Sequence, residues 1–178
     1  MKVAGMVILA ALASACQAGM TDKPAAAALN LELGAAYLSQ GRLDLAHDKL
    51  LRATHQDARS AEAHRILGML YEELEDAGRA EEHYRRAVRL APRDVETLNS
   101  LGVFRCRRPG GSAGGLKFLR RAAEAASGER RADVYANCGL CVLSQDRAGA
   151  ADWFRRALEL DPQHIQARYL LEQLKRHN

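Results

Sequence analysis

The amino-acid sequence predicts an all-α solenoid of about four helix hairpins closed by a C-terminal capping helix, and two observations carry that prediction. Gly34, Gly68 and Gly102 stand at intervals of 34 residues, and Gly139 follows after 37. Apolar residues travel with these glycines at nearly constant offsets: Leu33-Gly34…Tyr37…Ala46…Leu50…Ala53, then Leu67-Gly68…Tyr71…Ala80…Tyr84…Ala87…Pro92, and later Cys138-Gly139…Ala150…Phe154…Ala157…Pro162. Gly and Ala suit places where two helices of a hairpin approach closely, the large residues fill the space between units, and Pro ends a second helix. No stretch alternates as a half-buried strand does, so the periodicity is helical throughout.

The hairpins are expected near 25–39 and 43–55, 60–73 and 77–90, 94–107 and 114–125, and 131–144 and 147–159, with a last helix near 163–177. Asp94, after Pro92, supplies an acidic residue where the third pair begins, and Asp161-Pro162 ends the fourth pair. The last helix sets Ile165, Leu170, Leu171 and Leu174 against Gln163, Gln166, Glu172, Gln173, Lys175 and Arg176, which gives it one apolar and one wet face, as a terminal cap requires. The third pair is the irregular one. Arg107-Arg108-Pro109-Gly110-Gly111-Ser112-Ala113-Gly114-Gly115 stands where a turn and the start of a helix belong, and each Gly lowers helix stability by about 1 kcal/mol relative to Ala. Its second helix is therefore expected to be short and late, either through drift in a tolerant solenoid or as a hinge. Arg105 occupies a position that is apolar in the other units (Tyr37, Tyr71, Val142), so it must snorkel or meet an acid.

Period and pattern together are those of the tetratricopeptide repeat. They divide the chain into a leader, 1–15, a tether, 16–25, and a repeat domain, 26–178, with repeats near 27–60, 61–94, 95–131 and 132–163 and a cap at 164–177. The leader has a basic start at Lys2, an apolar run from Val3 to Leu12, and Ala13-Ser14-Ala15 before Cys16, the layout of an export signal. Leu12-Ala13-Ser14-Ala15-Cys16 resembles a bacterial lipobox, in which Cys16 takes a lipid and becomes the first mature residue. Cleavage by ordinary signal peptidase at the same small residues is the alternative. The apolar run is too short to span a membrane. Gln17 after the Cys favours the outer membrane, facing the periplasm, as the address.

The formal charge of +4 arises from 26 basic and 22 acidic residues distributed along the chain, which does not by itself imply nucleic acid. Arg85-Arg86, Arg120-Arg121 and Arg155-Arg156 all fall on second helices and form either a solvated outer face or a basic stripe for lipid headgroups or an acidic partner. With Cys16 lipidated, Cys106, Cys138 and Cys141 remain, an odd number in a compartment that permits disulfides. Cys138 and Cys141 form a C-x-x-C within a helix, without the partners of a metal site, and are expected as small core residues.

There is no phosphate-binding loop and no H-E-x-x-H, and the six His are scattered over helix surfaces and ends. His64 stands where such repeats often carry Trp and is expected to be packed. The expectation is a protein-binding chain, not an enzyme, with no cofactor, metal, small-molecule substrate or nucleic acid. First helices of stacked repeats line a concave surface. Register assigns to it Leu31, Ala35 and Leu38, then Glu62, Arg65, Met69 and Glu72, then Glu96, Asn99, Val103 and Cys106, and finally Asp133, Ala136, Leu140 and Leu143. Leu31 and Leu38 are expected to face the groove and not the core. Repeat domains that grip acidic chaperone tails carry Lys and Asn at set groove positions, and Ala28, Leu31 and Ala35 stand there instead. A helix or extended segment of a protein partner suits such a groove.

Two segments narrow the resemblance. Leu98-Asn99-Ser100-Leu101-Gly102-Val103-Phe104-Arg105-Cys106-Arg107 resembles the N-x-x-G-x-F-x-C-R stretch of the type IV pilus biogenesis and stability lipoproteins (PilF/PilW), and Asn137-Cys138-Gly139-Leu140-Cys141 resembles their N-x-G-L-C. The resemblance implies a pilotin, an outer-membrane lipoprotein that helps the pilus secretin reach or assemble in that membrane. A general envelope scaffold that recruits cell-wall enzymes, or parts of another secretion system, is the reading from a different class.

Overall fold

The computed structural model describes residues 22–176, so the leader, the Cys16 acceptor and the tether up to residue 21 lie outside the described residues. Within that span the chain folds into nine helices and no strand: α1 (Asp22–Ser39), α2 (Leu43–Gln56), α3 (Ala61–Glu73), α4 (Ala77–Leu90), α5 (Val95–Cys106), α6 (Ser112–Ala125), α7 (Gly128–Val142), α8 (Arg147–Leu160) and α9 (Ile165–Arg176). Consecutive helices pair as α1–α2, α3–α4, α5–α6 and α7–α8, and α9 packs on α8. None of these helices is long and apolar enough to cross a membrane.

The glycine period acquires its reason in these pairs. A methyl group at Gly68 would stand 2.6 Å from the Tyr84 ring, and Gly34, Gly102 and Gly139 meet Leu50, Leu119 and Phe154 in the same way. The four large partners are at most 2 % exposed and anchor the hairpins. Side-chain caps start several helices: Ser60, Asp76, Asp94 and Asp146 accept from the backbone N–H of Ala63, Arg79, Thr97 and Gly149. Arg105 meets an acid, as expected. Its Nε donates to Glu81 at 3.0 Å, and its guanidinium lies over the Phe118 ring.

Three expectations are corrected. Helix α1 begins at Asp22, so residues 22–25, expected in the tether, are helical. Pro24 is tolerated in a first turn, and the alanines that follow have the highest helix propensity. Helix α6 starts at Ser112 and runs 14 residues, the same length as α2, α4 and α8, so it is neither short nor late. One of its two glycines is used for contact: a methyl group at Gly115 would stand 2.3 Å from Cys106 Sγ and 2.6 Å from the Gly102 carbonyl oxygen, whereas Gly114 faces open space. Close packing of α6 on α5 therefore offsets the propensity loss, while Gly110 (φ +70°) takes the left-handed turn before it.

The third correction concerns the cysteines. Cys106 and Cys141 form a disulfide that ties α5 to α7, so neither is a free core thiol. Cys138 does behave as a small core residue: it is fully buried among Leu98, Leu119, Ala122 and Val134, and burial pushes its thiol up to about 12.

Candidate functional site

Helices α1, α3, α5 and α7 lie side by side and present one face to solvent. Between α1 and α3 that face holds a concavity of about 460 Å³, lined by Ala35, Leu38 and Ser39 on one side and by Glu62, Arg65, Ile66, Met69 and Glu73 on the other. Five groove residues named from the sequence, Ala35, Leu38, Glu62, Arg65 and Met69, thus meet at one place. Arg65 is fixed there by a two-pronged bond to Glu62, Nε to Oε2 at 2.8 Å and Nη2 to Oε1 at 2.6 Å, and its Nη1 touches Met69 Sδ at 3.3 Å. The Glu62 carboxylate holds the Arg65 guanidinium firmly in its charged form. Met69, 39 % exposed, is a flexible apolar contact beside that fixed ion pair.

Other residues assigned to the groove stand apart from this concavity. Leu31 lines a smaller hollow of about 350 Å³ with Ala28 and Ala63. Glu72 is half-buried beside Arg107, with an Nη1–Oε2 distance of 3.5 Å, and burial pushes its carboxyl upward against the opposing pull of Arg107 and Tyr84. Asn99 Oδ1 accepts from Asn137 Nδ2 at 2.9 Å, and Arg130 Nη1 donates to Glu96 at 3.0 Å. With the disulfide, these contacts tie α5 to α7 along the same face. Val103 packs partly buried against the Leu98–Leu119–Val134 cluster, whereas Leu140 is 38 % exposed.

Leu31 and Leu38 each line a hollow, but both are partly buried and also pack against the Leu50–Leu67–Leu70 core, because α3 lies against α1 and covers part of the flank that a lone helix would expose. Charging both would disturb the fold as well as the groove. Ala136 is 1 % exposed beneath Ala167 and Leu171 of the capping helix, and the adjacent Asn137 takes the polar position. Sequence reasoning also missed Ser39, Ile66 and Glu73. Ile66 follows the apolar pattern of a core residue, and only its placement at the rim brings one edge into the hollow.

His64 is packed as expected, and it is not alone. Its Nδ1 lies 3.0 Å from His83 Nδ1, His83 stacks on Tyr71 with ring centres 5.3 Å apart, and His47 Nε2 reaches the Tyr71 hydroxyl at 3.1 Å. Burial, first of all, holds both His64 and His83 below the ordinary imidazole range, and Arg79, Arg86 and Arg89 add to the effect. The unfolded chain releases both rings to about 6.5 and so binds more protons than the folded one below that pH. The stabilisation is full above that value and is lost as pH falls. The melting temperature is therefore expected to drop between pH 7.5 and 5, and His83→Gln should flatten that slope. A pH-independent melting temperature in the wild type would contradict the assignment.

Among the described residues no group of three or more His, Cys, Asp or Glu is placed to hold a metal ion. The arrangement offers a shaped surface with apolar and ionic contacts, which is what recognition of a peptide segment needs.

The comparisons agree with this geometry. Residues 31–95 match the tetratricopeptide repeat family. The type IV pilus assembly protein PilF of Pseudomonas aeruginosa is 28 % identical over 132 residues, which make up 74 % of this chain and 52 % of that protein. The chain thus spans about half the length of this curated relative. A solved structure of Pseudomonas aeruginosa PilF superposes with a TM-score of 0.81 at 25 % identity, covering 88 % of this chain and 71 % of that one. PilW, described as a widely conserved type IV pilus biogenesis factor, gives 0.78 at 22 % identity over 85 % of this chain and 69 % of its own. The chain has the fold of a tetratricopeptide-repeat solenoid and is similar in sequence to PilF and in fold to PilF and PilW.

Proposed function

We propose that this protein is an outer-membrane lipoprotein, anchored through Cys16, that serves as a protein-binding scaffold for assembly of the type IV pilus secretin. The observation that carries the reading is its homology to PilF, which extends over three quarters of the chain. The hollow between α1 and α3 supplies the means, since Met69 and Leu38 offer apolar contact and the Arg65–Glu62 pair offers a fixed polar one. In this reading residues 1–15 are the export leader and Cys16 takes the lipid. The Cys106–Cys141 disulfide supports an oxidising compartment, in keeping with the periplasmic face of that membrane.

Deleting the gene tests this. Secretin multimers should disappear from the outer-membrane fraction and return with the wild-type gene, whereas Cys16→Ala should yield precursor or soluble periplasmic protein and restore few multimers. Unchanged multimers in the deletion strain would overturn the pilus role. A mature protein that begins at Cys16 without lipid mass would overturn the anchor.

A further inference from the structure

The three arginine doublets expected to act alike do not. Arg121 is spent on the Pro92 carbonyl oxygen, to which its Nη2 donates at 2.8 Å, and Arg155 pairs with Asp152. Arg120 and Arg156 instead converge on one side chain. Their guanidinium carbons stand 5.8 and 4.9 Å from the ring centre of Trp153, which leans on Tyr135 at 5.5 Å. These residues, with Arg131, line a cleft of about 630 Å³ between α6, α7 and α8, formed by different helices from those that line the α1–α3 hollow. Among the described residues no carboxylate lies within ion-pair distance of Arg120, Arg131 or Arg156.

Both guanidinium groups lie over one indole and are held near each other before any ligand arrives, and a planar guanidinium binds a carboxylate through two parallel hydrogen bonds. Glu124, Asp146 and Asp152 lie on the lining of the same cleft. They would repel a densely anionic lipid surface, whereas a peptide carries spaced acids between backbone N–H donors that those carboxylates can accept. The geometry points to a second binding site on this protein, in which the cleft around Trp153 takes an acidic, extended segment of a protein partner and Arg120 and Arg156 grip its carboxylates. The inference does not rest on the pilus reading.

Trp153 is the sole tryptophan of the chain, so its emission reports on this cleft alone. The full chain should be titrated at low salt with a blocked peptide of alternating glutamate and serine, with its glutamine–serine counterpart, and with phosphatidylglycerol vesicles. A saturable change with the glutamate peptide only is expected, weakened at least about tenfold by Arg120→Gln with Arg156→Gln and unaltered by Arg85→Gln with Arg86→Gln. Circular dichroism should show both double variants folded. Arg120→Lys with Arg156→Lys keeps the charge but removes the planar fork, and it should bind weakly as well. No saturable response to the glutamate peptide, equal affinity in all variants, or a response to vesicles alone would overturn the site.

Discussion

Replacing Cys106 and Cys141 together by alanine is expected to lower stability by about 3–4 kcal/mol, because the bond closes a loop of 35 residues that includes all of α6. For a chain of this size that corresponds to a fall in melting temperature of about 7–15 °C. Constraint of the unfolded chain is the main physical cause, and the bond also holds α5 against α7 on the face where Asn99 meets Asn137. Gly115 belongs to the same device, since any side chain there would run into Cys106 Sγ. Melting curves with and without a strong reductant check this. The remaining thiol among the described residues, Cys138, is buried and pushed up to about 12, so it supplies almost no thiolate for exchange at neutral pH. A melting temperature indifferent to both reductant and the double substitution would contradict the account.

Phe154→Ala should be as damaging, at about 3–5 kcal/mol. The Phe154 ring is fully buried and lies against Gly139, where a methyl group would stand 2.5 Å from its edge. Its surroundings include Ala132, Ala136, Ala150 and Ala167, small residues on three helices whose side chains cannot reach inward to fill the vacated space. The cavity would therefore persist. Because each unit of a solenoid contacts only its neighbours, the loss should be concentrated in α7, α8 and α9. Amide exchange should quicken over 128–176 more than over 22–90. A loss below about 1 kcal/mol, or a uniform change in exchange, would show that Phe154 does not hold the last repeat.

What the sequence made legible follows from the range of each interaction. The hairpins were readable because the Gly34–Leu50 and Gly68–Tyr84 contacts recur at a fixed spacing, so each repeat testifies for the next. The Asp94 cap was readable because its partner, Thr97, is three residues away. The start of α6 was not, since propensity condemns Gly114 and Gly115 while the contact that compensates, Gly115 on Cys106, depends on how two helices approach. The Cys106–Cys141 bond was hidden for the same reason, and the C-x-x-C spacing drew attention to the wrong pair. In the groove, register pointed to Arg65 and Met69, which line the hollow, but treated α1 as if α3 did not cover its flank, so Leu31 and Leu38 were read as more open than they are. The convergence of Arg120 and Arg156 on Trp153 belongs to tertiary placement alone.

The central claim is that the α1–α3 hollow is where this protein holds its pilus partner, and complementation of the deletion strain with Met69→Glu tests it most directly. Met69 is 39 % exposed and stands between the fixed Arg65–Glu62 pair and the apolar wall of Leu38. A carboxylate at that position should alter fold stability by no more than about 0.5 kcal/mol, whereas it would place a charge where a partner's apolar side chain must bury. The account predicts a variant with wild-type abundance and melting temperature whose cells lack secretin multimers in the outer membrane, as the deletion does. Multimers at the wild-type level in cells carrying the folded Met69→Glu protein would contradict it.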